Sequence, residues 1–330
     1  MALGHSDAVE FRRAAGLSGC RVPNTVLRVT TDVVAVLGRG LVDPAAPAIW
    51  TDDLGLTRGD GCFEGCRVRR SEGTVVVDDL ELHLDRMASS ARGLDIAFDR
   101  AAWQTLVESS VSEWDRARPA DEEASLKLVL TRGREGGQAP TGLASVSRIA
   151  AGVVAARREG VDVVTLARGV GSDSFADCPW LLGGVKTLSY ALNMAAQREA
   201  RRRGADDAIF VSTDGRVLEA PTAAVAWVND TRVTTVPPGG NGILASISAE
   251  RLLRVLGSCG FTTAQDQATV RDLLAAEAVI LVSSVRGPVL VRSIDGQELA
   301  ATERGTQVVS ASQELLHFQP GQPGSPVQDW

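Results

Sequence analysis

Apolar residues along this chain fall into short strand-like runs separated by a few longer stretches of helical spacing. Runs at 33–37, 66–68 and 74–77 read as strands. Between 82 and 94 the apolar positions Leu84, Met87, Ala88, Ala91 and Leu94 recur near helical spacing and predict a helix. A second helix is predicted over 101–112 and a strand over 126–131. Strands that outnumber helices in this order predict an α+β unit with mostly antiparallel strands.

A turn-rich stretch, Gly133 to Gly142, suggests a boundary. Beyond it, strands are predicted at 147–155, 161–166, 208–212, 217–220, 224–228, 278–282 and 289–292. Helices are predicted over 189–203, 248–256 and 269–276. The pattern gives a two-domain α+β / α/β chain: an N-terminal extension over 1–25, a small α+β domain over 26–142, a larger domain over 143–318 and a flexible tail over 319–330, rich in Pro, Gly and Gln.

Composition narrows the class. At 330 residues, 44% hydrophobic and 23% charged, the chain matches an ordinary globular protein. A net charge of −7 argues against a nucleic-acid surface, which needs a basic footprint. The run Arg201-Arg202-Arg203 closes a predicted helix before Gly204, where basic residues complement the helix dipole. No apolar run approaches the roughly 20 residues of a membrane span, and residues 1–13 lack the order of a signal peptide. Cys20, Cys62, Cys66, Cys178 and Cys259 are odd in number and scattered, with no zinc spacing. They fit small buried residues of a reducing cytoplasm, with no metal expected.

The chemistry concentrates in two stretches. Gly183-Gly184-Val185-Lys186-Thr187-Leu188-Ser189-Tyr190 places one lysine in a Gly-rich, uncharged loop before a helix. A lysine in an apolar setting loses pKa and becomes an amine nucleophile. About thirty residues later, Asp214-Gly215-Arg216-Val217-Leu218-Glu219 reads as a turn feeding a strand with one carboxylate. A lysine able to form a Schiff base and an acid opposite a ring nitrogen are the two fixed points of pyridoxal phosphate chemistry.

Five segments in order strengthen this: Gly59–Glu64, His83-Leu84-Asp85-Arg86-Met87, Leu126-Lys127 through Arg132-Gly133, Lys186–Tyr190 and Asp214–Glu219. With them the chain resembles the class IV aminotransferases, the fold-type IV pyridoxal phosphate enzymes with a D-amino acid aminotransferase-like fold, from about Val29 to about Gly296. The resemblance makes the larger domain the cofactor-binding one. It implies pyridoxal 5'-phosphate as cofactor, Lys186 as the Schiff-base and proton-transfer lysine, and Glu219 as partner of the pyridine nitrogen. It places the phosphate on Arg86, on the backbone of Ile247 and Ser248, and on the hydroxyls of Ser248 and Ser284. Tyr190 would contact the ring hydroxyl. By itself, Ser248 reads as a plain N-cap.

Fold does not settle the substrate. The single tyrosine makes a branched-chain aminotransferase pocket a poor match, and the arginine–histidine pair of D-amino acid aminotransferases is missing after Thr131-Arg132-Gly133. Gly59-Asp60-Gly61-Cys62-Phe63 and the Leu126-Lys127 strand match aminodeoxychorismate lyases, whose substrate carries two carboxylates. Arg67 and Lys127 are the candidate carboxylate anchors. Glu64-Gly65 is closer to the aminotransferases. The resemblance thus implies a lyase making 4-aminobenzoate and pyruvate from 4-amino-4-deoxychorismate, with an aminotransferase of D- or branched-chain amino acids as the alternative. A cofactor-binding but idle regulatory protein is a third reading, opposed by the intact Lys186 and Glu219. It further implies a cytoplasmic homodimer acting on a small-molecule amino substrate.

Overall fold

The computed structural model describes residues 31–119, 121–299 and 302–318. The extension over 1–25, the tail over 319–330 and Cys20 lie outside these residues. The first half contains β1 (Thr31–Val36), β2 (Gly40–Val42), α1 (Leu54–Arg58), β3 (Gly61–Ser71), β4 (Thr74–Val77), α2 (Leu80–Gly93), α3 (Arg100–Ala117), β5 (Glu123–Thr131) and β6 (Thr141–Ser147). Its strands form one six-stranded antiparallel sheet in the order β2-β1-β6-β5-β3-β4.

Strand alternation decides what this sheet does. Along β3, Cys62, Glu64 and Cys66 are buried on one face, with Leu126, Leu128 and Leu130 of β5 beside them. Leu84, Met87 and Ala91 of α2 and Trp103, Leu106 and Trp114 of α3 close this core. The opposite face, carrying Phe63, Gly65, Lys127 and Val129, is only partly covered.

The second half contains α4 (Ala151–Glu159), β7 (Val161–Ala167), α5 (Ala191–Arg202), β8 (Asp207–Val211), β9 (Ala224–Asn229), β10 (Arg232–Thr235), α6 (Ile247–Ser258), β11 (Thr262–Gln265), α7 (Val270–Leu274), β12 (Ala278–Ser283), β13 (Gly287–Ile294), β14 (Gln297–Glu298) and α8 (Glu303–Leu315). Its mixed sheet runs β11-β10-β9-β12-β13-β7-β8, with β14 on β13. Apolar clusters cover both faces. One contains Ile209, Trp227 and Leu281, and the other contains Ala226, Ile280, Leu252 of α6 and Val308 of α8. Burial on both faces explains why β12 reads as a continuous apolar run.

Three readings of the sequence need correction. The strand expected over 147–155 ends at Ser147, and Ala151–Glu159 is helical. That segment is alanine-rich, and a short apolar run has no decisive period. Residues 143–147 accordingly belong to the first sheet, so the change of sheet falls after Ser147 and not at 142. Residues 217–220 form no regular strand. They fold back on β8 through the Leu218 N–H to Phe210 O and Phe210 N–H to Glu219 O bonds, past a turn with Gly215 at φ 81°. The helices α1 and α8 had no counterpart in the sequence reading.

Candidate active site

The lysine loop joins the two halves. β4 covers only the far end of β3, which leaves the edge at 61–63 open. The segment 186–188 fills that edge: Phe63 N–H donates to Lys186 O (3.0 Å), and Leu188 N–H donates to Gly61 O (2.8 Å). Lys186 N–H donates to Ser90 Oγ of α2 (3.2 Å). Pairing opposite Phe63 puts both side chains on the same face, with Lys186 Nζ 4.5 Å from the Phe63 ring and 5.6 Å from the Tyr190 ring. The two rings meet edge to face at 5.0 Å. The glycines before Lys186 have separate reasons. Gly184 adopts φ 76°, and a Cβ on Gly183 would press to 2.9 Å on Phe175.

Burial among these rings pushes the Lys186 amine down to about 8. The reference value is 10.5, so a much larger neutral fraction is present near neutral pH. Glu219 shares the site, and its Oε2 accepts the Leu244 N–H (3.2 Å). Burial pushes its carboxyl up to about 7, against the opposing pull of that hydrogen bond and of Lys186 and Arg168. The Tyr190 phenol is driven upward, again by burial first, and stays protonated as a donor.

The residues expected to hold the phosphate meet at the start of α6. The N-cap is Ser246, not Ser248: Ser246 Oγ accepts the Ala249 N–H (3.1 Å). The Ile247 and Ser248 N–H groups, at the first helical positions, have no acceptor within the helix and suit an anion. Ser248 Oγ and Ser284 Oγ sit 2.9 Å apart. Arg86 reaches the same place, donating from Nη1 to Ala245 O (2.9 Å).

What aims Arg86 is Glu64, which the sequence reading used only as a mark of kinship. Glu64 is fully buried, accepts Arg86 Nε (2.7 Å) and Nη2 (2.8 Å), and meets His83 Nδ1 at 2.7 Å. Burial raises its carboxyl, but the hydrogen bonds from Arg86 and His83 win and hold it at about 2. A glutamate opposite an arginine three residues after a histidine on the following helix was the available signal.

The two carboxylate anchors part company. Arg67 is not at the site. It is buried against Asp78 (2.6 and 2.8 Å) and donates to Leu316 O and His317 O (2.9 Å each), so its guanidinium is consumed in the packing. Lys127 is exposed on the Phe63 face of β5, directly opposite Gly65. A Cβ on Gly65 would meet nothing within 4 Å, so the ground beside Lys127 is open.

A buried amine, a buried carboxylate and a helix start with two hydroxyls and an arginine are the parts that pyridoxal phosphate requires, and the residues present fit it. The profile of the amino-transferase class IV family matches residues 61–294. A Mycobacterium tuberculosis protein named bifunctional aminodeoxychorismate lyase / D-amino acid transaminase is 39% identical over 277 residues, 82% of this chain and 94% of its own length. A Vibrio harveyi aminodeoxychorismate lyase is 26% identical over 74% of the chain and 87% of its own. Among solved structures, a hypothetical aminotransferase from Mycobacterium tuberculosis in its PLP-bound form superposes with a TM-score of 0.80 at 36% identity, covering 86% of this chain and 98% of that one.

The chain belongs to the class IV aminotransferases and uses pyridoxal phosphate. It is an enzyme of that class acting on small-molecule amino substrates. Among the described residues, no helix is long and apolar enough to cross a membrane.

Proposed function

We propose that the chain is an aminodeoxychorismate lyase, converting 4-amino-4-deoxychorismate to 4-aminobenzoate and pyruvate. The observation that carries this reading is Lys127, an exposed ammonium on the open face that also bears Phe63 and Lys186. A substrate with a second carboxylate has a use for that charge, whereas a simple amino acid does not.

When bound, pyridoxal phosphate supplies an electron sink for the carbanion. Lys186 Nζ, poised by burial, removes the proton from the amine-bearing carbon. Glu219 would face the pyridine nitrogen and keep its proton in place, which keeps that ring electron-poor. Ser248, Ser284, Arg86 and the Ile247–Ser248 backbone would hold its phosphate, and Tyr190 would donate to its ring hydroxyl. Loss of the neighbouring enolpyruvyl group, which leaves as pyruvate after protonation at carbon, aromatises the ring.

A second reading has its own support. Transamination of a D-amino acid uses the same Lys186 and Glu219, and the Mycobacterium tuberculosis relative carries both activities in its name. Incubation with aminodeoxychorismate, assayed for 4-aminobenzoate, tests the first reading. Incubation with D-alanine and 2-oxoglutarate, assayed for pyruvate, tests the second. Release of pyruvate from D-alanine with no aminobenzoate from the other substrate would replace the lyase by the transaminase. The proposed active form is a homodimer, and sedimentation of a fully active monomer would refute that.

A further inference from the structure

The C-terminal end of α8 is held more elaborately than a terminal helix requires. Gln313 Nε2 donates to Arg157 O (2.7 Å) and Pro288 O (2.8 Å). The carbonyls of Leu316 and His317 are taken by Arg67 of the first sheet, at 2.9 Å each. The Phe318 ring lies between two guanidinium groups, with Arg67 3.6 Å and Arg157 4.9 Å from its centroid. Both arginines also face Glu123 of β5, Arg157 at 2.6 Å and Arg67 at 3.8 Å. Gly287, at φ 81°, leaves room for the ring, since a Cβ there would approach Phe318 to 2.6 Å.

This cluster stands directly behind the phosphate cradle. Leu316 and Phe318 pack with Ala249 of α6 and Val282 of β12, the residues that carry Ser248 and Ser284 into place. A small cavity of about 10 Å³ is lined by Leu316 and Phe318 together with Ser248, Ser284 and Arg251. In the same cluster, Asp79 of the first half holds Arg251 of α6 at 2.7 Å. The start of α6 is thus held by this packing and by two contacts that cross between the halves, Asp79 to Arg251 and Arg67 to the carbonyls after α8.

We propose that residues 313–318 form a clasp that sets the phosphate end of the cofactor site, with Phe318 and Arg67 as its positioning residues. Backbone donors at a helix start bind an anion only as well as the helix is placed. The ring end of the site rests elsewhere, with Lys186 at the 61–63 end of β3, four residues and more from Arg67, and Glu219 against β8. A loosened clasp therefore weakens the hold on the phosphate and spares the hold on the ring.

The test is a pair of absorbance titrations on full-length cofactor-free protein, one with pyridoxal phosphate and one with pyridoxal. In Phe318→Ala the preference for the phosphorylated form falls about tenfold, with pyridoxal affinity unchanged. Phe318→Leu, which keeps apolar fill but loses the ring, falls roughly threefold. Arg67→Lys, which keeps charge but loses the fork, behaves like Phe318→Leu. These milder variants carry the test if Phe318→Ala does not fold. Equal losses for both ligands mean a merely structural role, and unchanged affinities mean no role; either result overturns the proposal.

Discussion

Lys186 and Lys127, the two lysines among 34 basic residues, occupy opposite ground only a few residues apart on one sheet. Lys186 extends the edge of β3 and lies among Phe63, Tyr190 and Glu219, where burial lowers its pKa to about 8. Lys127 stands on β5 beside an empty position at Gly65, exposed and without an ion-pair partner among the described residues. The first has lost water and gained nucleophilicity; the second keeps its charge and its reach. On the roles proposed above, the same residue type serves proton transfer or recognition according to how much of it the fold covers.

The sharpest way to break this contrast is Lys186→Ala. It should abolish both lyase and transaminase turnover, a loss on the order of 10⁴-fold or more in kcat, because the only other lysine lies on open ground. Substantial residual turnover would transfer the chemistry elsewhere. Glu219→Gln should cost about 10²-fold while leaving the protein folded, since a neutral amide cannot hold the ring proton. Near-normal rates in that variant would mean that another group faces the ring nitrogen.

Lys127→Ala sharpens the contrast from its other side. It should lower kcat/KM for aminodeoxychorismate by roughly one to two decades and spare transamination of D-alanine, which lacks the second carboxylate. Equal losses on both substrates would assign Lys127 to the cofactor or the fold, and no loss on either would place it outside the pocket.

The smallest effect is on stability against pH in the cofactor-free protein. Glu219 titrates at about 7 when folded against 4.5 as a free carboxyl, so between these values the native state holds a proton that the unfolded state has lost. Stability therefore falls as pH rises from 4.5 to 7. Lys186 works in the opposite sense, and stability recovers as pH rises from about 8 to 10.5. Denaturant titrations of Glu219→Gln should lack the first slope, and an unchanged slope would assign it to another group.

The sequence revealed the parts of the site better than their supports. Lys186 and Glu219 stand out because their chemistry demands a local signature, glycines around an uncharged lysine and a turn before a lone carboxylate. Glu64 and Arg67 escaped because their roles depend on partners far along the chain: Arg86 lies 22 residues away, and the Leu316 carbonyl 249. Spacing within one segment carries no trace of such pairings. Ser246 displaced Ser248 as the cap since either serine suits the position by type, and only the helix start decides. In the fold, β12 was legible from its apolar run, whereas 147–155 read as a strand and is helical from Ala151, because a short apolar run has no decisive period.

With only two lysines in the chain, one measurement reaches the central claim directly. The protein is loaded with pyridoxal phosphate, reduced with borohydride, digested and mapped by mass spectrometry. The adduct should fall on the peptide containing Lys186, with the Lys127 peptide unmodified at stoichiometric cofactor. An adduct on Lys127, or none on either lysine, would contradict the account.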